Sequence, residues 1–221
     1  MKNPVKLYDL SQPIYHNCPG WPEYAPTQIS RDYCTAINGF NAETITLNPH
    51  TGTHIDVPYH FFDEGQTIEK IPIETFAGAA VFIDMRSKGA DTPITAEDLK
   101  PYVDQIEAGD IAILNTGWGK RRSSSKKYLF QWPYLAGDGA KILLDAGVKG
   151  VGIDGLSMGG WGSPEKGRPC HEILLGAGVF LIEELCIPDV VMDGRRYWFS
   201  AFPILLNGCG GSLVRAVAYE F

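Results

Sequence analysis

Three runs of unbroken apolar character recur along this chain: AAVFIDM (79–85), GDIAILNT (109–116) and VKGVGID (148–154). A strand that alternates polar and apolar residues can leave one face in water, but runs like these need cover on both faces. Short apolar stretches separated by Gly and Pro continue from end to end. VKLYDLS near the start, VFLIEEL (179–185) and SLVRAVAYEF at the end read as further strands. TQISRDYCTAINGFNAETITLN (27–48) reads as two strands joined at Asn38-Gly39, a strong hairpin signal. In its second arm Ile45 and Leu47 alternate with Thr44 and Thr46.

Helices are expected between some of these strands. In ITAEDLKPYVDQI (94–106), Thr95 is placed to cap, Asp98 follows three residues later, and Ile94 and Leu99 can form a hydrophobic staple. Pro101 should kink or shorten that helix. AGDGAKILLDAG (136–147) puts Ile142, Leu143 and Ala146 on one face, with Gly147 as the C-terminal cap. CHEILLGAG (170–178) reads as a short helix. Residues 1–221 show no repeat, linker or composition break, so the expectation is one mixed α/β domain.

The 44% hydrophobic and 20% charged content suffices to bury a core, and the net charge of −7 disfavours nucleic-acid or anionic-membrane partners. KRRSSSKK (120–127) is the one basic cluster and reads as a solvated loop. The N-terminus lacks the apolar core of a secretory signal, and no run approaches the roughly 18 apolar residues of a membrane span. Five scattered cysteines without a C-x-x-C pair point to reduced thiols and a cytoplasmic protein.

Only five histidines occur, and three lie in NPHTGTHIDVPYHF (48–61). His50, His54, Asp56 and His60 share one parity, so an extended segment would project them together. Pro49, Gly52 and Pro58 argue against a helix. On a straight strand at ~3.3 Å per residue, His54 and Asp56 are roughly 6.6 Å apart, close enough to share one ion. His50 and His54 would be about 13 Å apart, so the chain must bend near Gly52. His60 would stand about 13 Å from Asp56, nearer a metal's water than the metal. The spacing thus gives three ligands, His50, His54 and Asp56, with His60 as a titratable neighbour. Two imidazoles and a carboxylate leave coordination positions open, the pattern of a catalytic site. Thr51 stands where a zincin helix needs its general-base Glu.

His171 is a candidate for a further ligand, with Cys170 as a weaker substitute and His16 in an ordinary loop. Glu183 lies inside an apolar run, where an acid is costly to bury unless paired or metal-bound. Glu184 should point to the opposite face and be solvated. GLSMG (155–159) superficially matches a serine nucleophile elbow, but its partner histidine would have to come from the metal set.

HTGTHIDVPYHF resembles the H-x-G-T-H-x-D-x-P-x-H signature of the cyclase superfamily of metal-dependent hydrolases. That group includes bacterial kynurenine formamidases (arylformamidases) and isatin hydrolase-like enzymes. LYDLSQPIYHNCPGWP, LNTGW, GVKGVGIDGLS, HEILLGAGVFLIEEL and GSLVRAVA are similar to further family segments, so the resemblance covers nearly the whole chain. It implies a mixed α/β fold around a barrel-like sheet, in homodimers or homotetramers. It implies that His50, His54 and Asp56 bind one divalent ion, Zn²⁺ or Mn²⁺, and that Asp56 bridges to a second held by His171 and Glu183. His60 would be the acid/base and Trp21 would line the substrate pocket. The implied reaction is hydrolysis of a small-molecule amide or formamide, such as N-formyl-L-kynurenine, by metal-bound hydroxide. A cyclic imide or lactam such as isatin is the alternative substrate, and a closed four-ligand structural metal site is the non-enzymatic alternative. Two segments, 117–135 and 157–170, diverge from the family and should edge the pocket. NGCGGSLVRA carries Gly where the family pattern has an acid before the closing strand.

Overall fold

A computed structural model describes residues 6–220. Among the described residues twelve strands are formed: β1 (Lys6–Asp9), β2 (Gln28–Tyr33), β3 (Ala42–Thr46), β4 (His54–Asp56), β5 (Ala77–Asp84), β6 (Pro93–Ile94), β7 (Ile111–Asn115), β8 (Tyr134–Leu135), β9 (Gly150–Ile153), β10 (Phe180–Glu183), β11 (Tyr197–Pro203) and β12 (Gly211–Glu220). The helices are α1 (Thr35–Asn38), α2 (Ala96–Leu99), α3 (Lys126–Phe130), α4 (Gly137–Asp145) and α5 (Pro164–Gly176). Val5 and Phe221, the outer ends of the first and last expected strands, lie outside the described residues.

The expected apolar runs form the parallel set β5-β7-β9-β10. On its other side β5 pairs antiparallel with β11, which pairs with β12. The short β4 then pairs with both β12 and β10, closing a seven-strand ring. β1 adds to the last four residues of β12 outside that ring. The runs do not single out β11, because Trp198 and Phe202 are bulky and apolar yet exposed, which hides its period.

Closure explains why both faces of the parallel strands are apolar. Phe82, Ile111, Ile113, Phe180 and Ile182 join one core inside the ring. Val81, Ile83, Ala112, Leu114 and Leu181 alternate with them and join a second core with Leu143 of α4 and Leu174 of α5. At ~0.8 kcal/mol per buried CH₂, each of these Val, Ile, Leu and Phe side chains stabilises the closed arrangement by about 1.5–3 kcal/mol, and Ala112 by less, before the entropy of ordering is counted.

Several local expectations change in detail. β2 and β3 do pair as a hairpin, but α1 connects them, ended by Gly39 at φ +82°, in place of a two-residue turn. Their alternation is not a burial pattern, since Ile45 is 56% exposed. Thr95 and Asp98 form the capping box, and Pro101 cuts the α-helix to one turn followed by a 3₁₀ stretch. α4 buries Gly139, Ala140 and Leu143, while Ile142 and Ala146 are half-buried. Gly147 takes φ +81° beyond its end. α5 begins at Pro164, six residues before the expected start, because Pro at the first helical position is pre-set for the helix.

Candidate active site

β4 is only three residues long, yet it is buried between two partners, and its neighbours dictate where its side chains go. Ile55 enters the core inside the ring. His54 and Asp56 therefore project to the outer face. In the antiparallel register His54 lies opposite Glu183 and Asp56 opposite Leu181, so Glu183 shares that face. Helix α5 carries His171 on a buried position.

The chain bends at Gly52, where φ is +64° and a Cβ would come within 2.4 Å of Ile14 Cδ1. The bend sets the His50 and His54 rings 5.2 Å apart. His60 departs from the straight-strand distance: Pro58 starts a 3₁₀ turn over Pro58–His60 that folds the imidazole back. Its Nε2 lies 3.9 Å from Asp56 Oδ2, well inside the 13 Å of an extended segment.

Two groups of donor atoms converge, His50–Asp56–His60 and His54–Asp56–Glu183, with Asp56 common to both and the donors of each group within 4.8 Å of one another. His54 Nε2 lies 3.5 Å from Asp56 Oδ1 and 3.4 Å from Glu183 Oε2. His171 Nε2 lies 3.1 Å from Glu183 Oε1 and 3.9 Å from Asp56 Oδ2. Backbone carbonyls hold two rings in place: Gly52 O is 2.7 Å from His54 Nδ1, and Gly167 O is 2.7 Å from His171 Nδ1. Such bonds make Nδ1 the donor and turn Nε2 toward the carboxylates, the usual support of a metal-binding imidazole.

Burial disfavours ionised carboxylates, but His60, His50 and His54 hold Asp56 well below its ordinary value. Burial and Asp56 push Glu183 up, yet His171 and His54 leave it lowered. Burial opposes a charged His54, whereas Glu183 and Asp56 raise it to about 9. Burial dominates at His60 and lowers it to about 4 despite Asp56. Among the described residues every salt-bridge partner of Asp56 and Glu183 is an imidazole, with no Lys or Arg. Asp56 Oδ2 is buried with no hydrogen-bond partner. Buried charge without a partner is costly, so this donor set is complementary to a cation. Two donors at ~2.1 Å from one tetrahedral ion sit about 3.4 Å apart, which matches the 3.5 and 3.4 Å from His54 Nε2 to Asp56 and Glu183.

The cluster lies at the floor of a cavity of about 430 Å³ lined also by Trp21, Tyr24, Phe61 and Arg168. Phe61 stacks on His171 at 4.6 Å with planes 4° apart. Trp21 packs against Trp161 at 4.9 Å and Trp132 at 5.9 Å. Gly160, Pro164 and Gly167 place the segment 157–170 at the rim, whereas 117–135 supports the wall from behind through Trp132.

Other sequence expectations resolve as follows. His16 belongs to neither donor group, does not line the cavity and accepts from the Ile29 N–H. Cys170 is buried with its Sγ 3.6 Å from His171 Nδ1, on the side away from the carboxylates, and joins neither donor group. Ser157 of GLSMG donates to Glu183 Oε1 at 3.1 Å, which makes it a support for that carboxylate. Glu184 is not solvated: it is 1% exposed, because its φ of +52° ends the strand alternation and turns a second acid inward. Its partner is Arg122 of the basic cluster, whose side chain is 6% exposed and also not a solvated group. No sequence signal singled out Tyr24, whereas Phe61 closes the histidine stretch and Arg168 lies in 157–170; which of their side chains reach the wall is set by the fold, since a cavity wall is assembled from distant segments. The glycines of NGCGG have a steric reason: a Cβ on Gly211 would lie 2.4 Å from His50 Cε1, and one on Gly210 would lie 2.7 Å from His60 N.

The family model described as Putative cyclase matches residues 8–159. The chain is similar to a protein of Bacillus cereus named kynurenine formamidase, 28% identical over 95% of each chain. A solved structure described as a potential metal-dependent hydrolase with cyclase activity is 30% identical, covers 98% of each chain and superposes with a TM-score of 0.80. Isatin hydrolase A of Labrenzia aggregata, 21% identical over 97% of this chain and 93% of its own, shares the fold at a TM-score of 0.88.

Proposed function

Because the chain belongs to the cyclase family, we propose that it is a metal-dependent hydrolase of small-molecule amide C–N bonds, with an aryl formamide such as N-formyl-L-kynurenine as substrate. The observation that supports this most is the pair of buried carboxylates, Asp56 and Glu183, whose ion-pair partners among the described residues are all imidazoles, at the floor of an aromatic-walled cavity. The name of the Bacillus cereus relative supports the formamide over other amides.

His50, His54, Asp56, Glu183 and His171 would hold one or two divalent ions. Imidazole and carboxylate donors suit Zn²⁺, and Mn²⁺ is compatible. Such an ion would supply Lewis acidity toward a substrate carbonyl and would lower the pKa of a water to about 7. Trp21, Tyr24 and Phe61 offer flat apolar surfaces to an aromatic ring and keep bulk water from the reacting bond. His60 has the most accessible imidazole of the cluster, 23% exposed against 2% for His54 and 4% for His171. Its Nε2 can take a proton at the cavity floor and return it to the departing amine.

The test is a panel of N-formylkynurenine, isatin and simple aryl formamides, assayed before and after chelation and with Zn²⁺ or Mn²⁺ restored. Formamide hydrolysis lost on chelation and regained with metal is expected. Preference for isatin would reassign the substrate, and activity indifferent to chelation would sink the reading.

A further inference from the structure

Arg122 comes from a basic stretch, 120–127, whose other charged side chains are exposed, yet it is turned into the protein. Three separate parts of the chain meet its guanidinium. One Nη donates to the carbonyl of Pro13 at 2.5 Å and the other to Pro19 O at 3.1 Å. Its Nε lies 3.3 Å from Glu184 Oε2, an ion pair in contact without hydrogen-bond alignment. On another side it sits against the bend of the histidine segment, since a Cβ on Gly52 would be 3.6 Å from its Nη2. The ring of Tyr15 lies 5.7 Å from its Cζ.

Those three contacts join elements with distinct duties. The stretch between Pro13 and Pro19 leads directly into Trp21 and Tyr24, which line the cavity. Gly52 lies between His50 and His54, and Glu184 follows Glu183 in the chain. Apart from these contacts, the hydrogen bonds given for residues 13–19 run within the stretch, Cys18 N–H to Tyr15 O at 2.9 Å, or to residues 27–29 at the start of the exposed β2: Asn17 N–H to Thr27 O at 2.8 Å, Cys18 Sγ to Thr27 Oγ1 at 3.5 Å, Gln28 Nε2 to Asn17 Oδ1 at 3.1 Å and Ile29 N–H to His16 Nδ1 at 3.1 Å. A planar fork can hold two carbonyls at once in fixed geometry, which an ammonium cannot do.

We infer that Arg122 is a positioning residue that straps the aromatic wall of the substrate cavity to the strand and bend carrying the candidate metal ligands. It touches neither the cavity nor a donor atom of the cluster. Its effect on catalysis rests on the hydrolase reading above, whereas the strap itself is a property of the fold. Loss of the fork lets the wall shift relative to the cavity floor, so substrate binding suffers more than the chemical step.

The decisive variants are Arg122→Lys, which keeps a cation beside Glu184, and Arg122→Met with Glu184→Gln, which leaves no orphaned charge. Backbone hydrogen exchange by mass spectrometry is compared with kinetics on an aryl formamide and with bound metal. Arg122→Lys is expected to speed exchange across residues 13–24 about tenfold and to leave 151–153 and 180–183 unchanged. KM should rise about tenfold with kcat nearly constant and metal content unaltered. Exchange in 13–24 equal to wild type, or acceleration spread evenly over the protein, would overturn the strap. So would a lowered kcat at constant KM. If the wild-type protein hydrolyses nothing in the panel, the functional reading fails, and the exchange result still decides whether the strap exists.

Discussion

The imidazoles of His50 and His60 stack with centroids 4.0 Å apart and planes 28° from parallel, both beside Asp56. The contact pairs a residue on the bend with one on the 3₁₀ turn, and it leaves two roles open to His60. Removing a proton-transfer group typically costs 10²–10⁴-fold in turnover. His60→Ala is therefore expected to lower kcat at least about 100-fold while bound metal, measured by elemental analysis, stays near wild type. Loss of metal in proportion to activity would place His60 among the ligands.

Asp56 is the donor common to both groups, so its role can be read from stability without a substrate. Ligand present at 100 times its Kd stabilises by about 2.7 kcal/mol, or roughly 5–10 °C for a chain of this size. Adding Zn²⁺ to chelated wild-type protein should raise Tm by about that amount, and Asp56→Asn should abolish the rise. A full shift in Asp56→Asn would remove Asp56 from the ligand set.

Gly211 sits opposite Asp56 in the β12–β4 register and against the edge of the His50 ring. Gly211→Ala brings a methyl group into space the ring occupies, and His50 must move. Displaced ligands and their supports typically cost 10–100-fold in metal affinity. Titration with a chromophoric competitor should show a loss of about that size, and unchanged affinity would show that His50 is not needed for binding.

Asp154 is 1% exposed and accepts from Thr116 N–H at 2.9 Å, from the Thr116 hydroxyl at 2.5 Å and from Gly119 N–H at 3.2 Å. Burial raises its carboxyl above the ordinary value, although these donors pull it down. A raised carboxyl contributes most when protonated. Its contribution is complete below the unfolded value of about 4 and is lost as pH climbs through the folded one. The stability of wild type relative to Asp154→Asn should therefore fall with rising pH through that window. Urea midpoints at several pH values measure it, and a difference independent of pH would contradict the raised value.

The apolar runs identified the parallel strands because burial on both faces leaves no polar alternation, whatever covers them. They could not show that β4 closes the ring, since three residues carry no period. The same limit affects the site. The histidine stretch marks itself by residue type, and Gly52 and Pro58 announce bends, but a bend's direction depends on what it packs against. Straight-strand spacing accordingly set His60 apart from Asp56, while the Pro58–His60 turn brings it back. Glu184 and Arg122 mislead more strongly, because alternation and charge each predict solvent. A left-handed residue at 184 and a guanidinium fork at 122 place both inside.

By itself the amino-acid sequence determined the strand-rich mixed architecture, the candidate donor residues and the bend at Gly52, because each depends on local pattern or side-chain chemistry. Only the tertiary structure decided that Asp56 stands between two donor groups, that His60 stacks on His50, and that Arg122 faces Pro13, Pro19 and Glu184. Those relationships join positions up to 171 residues apart in the chain, as between Pro13 and Glu184. They are settled by which arrangement buries apolar surface while leaving few buried charges unpaired, a condition on the whole fold.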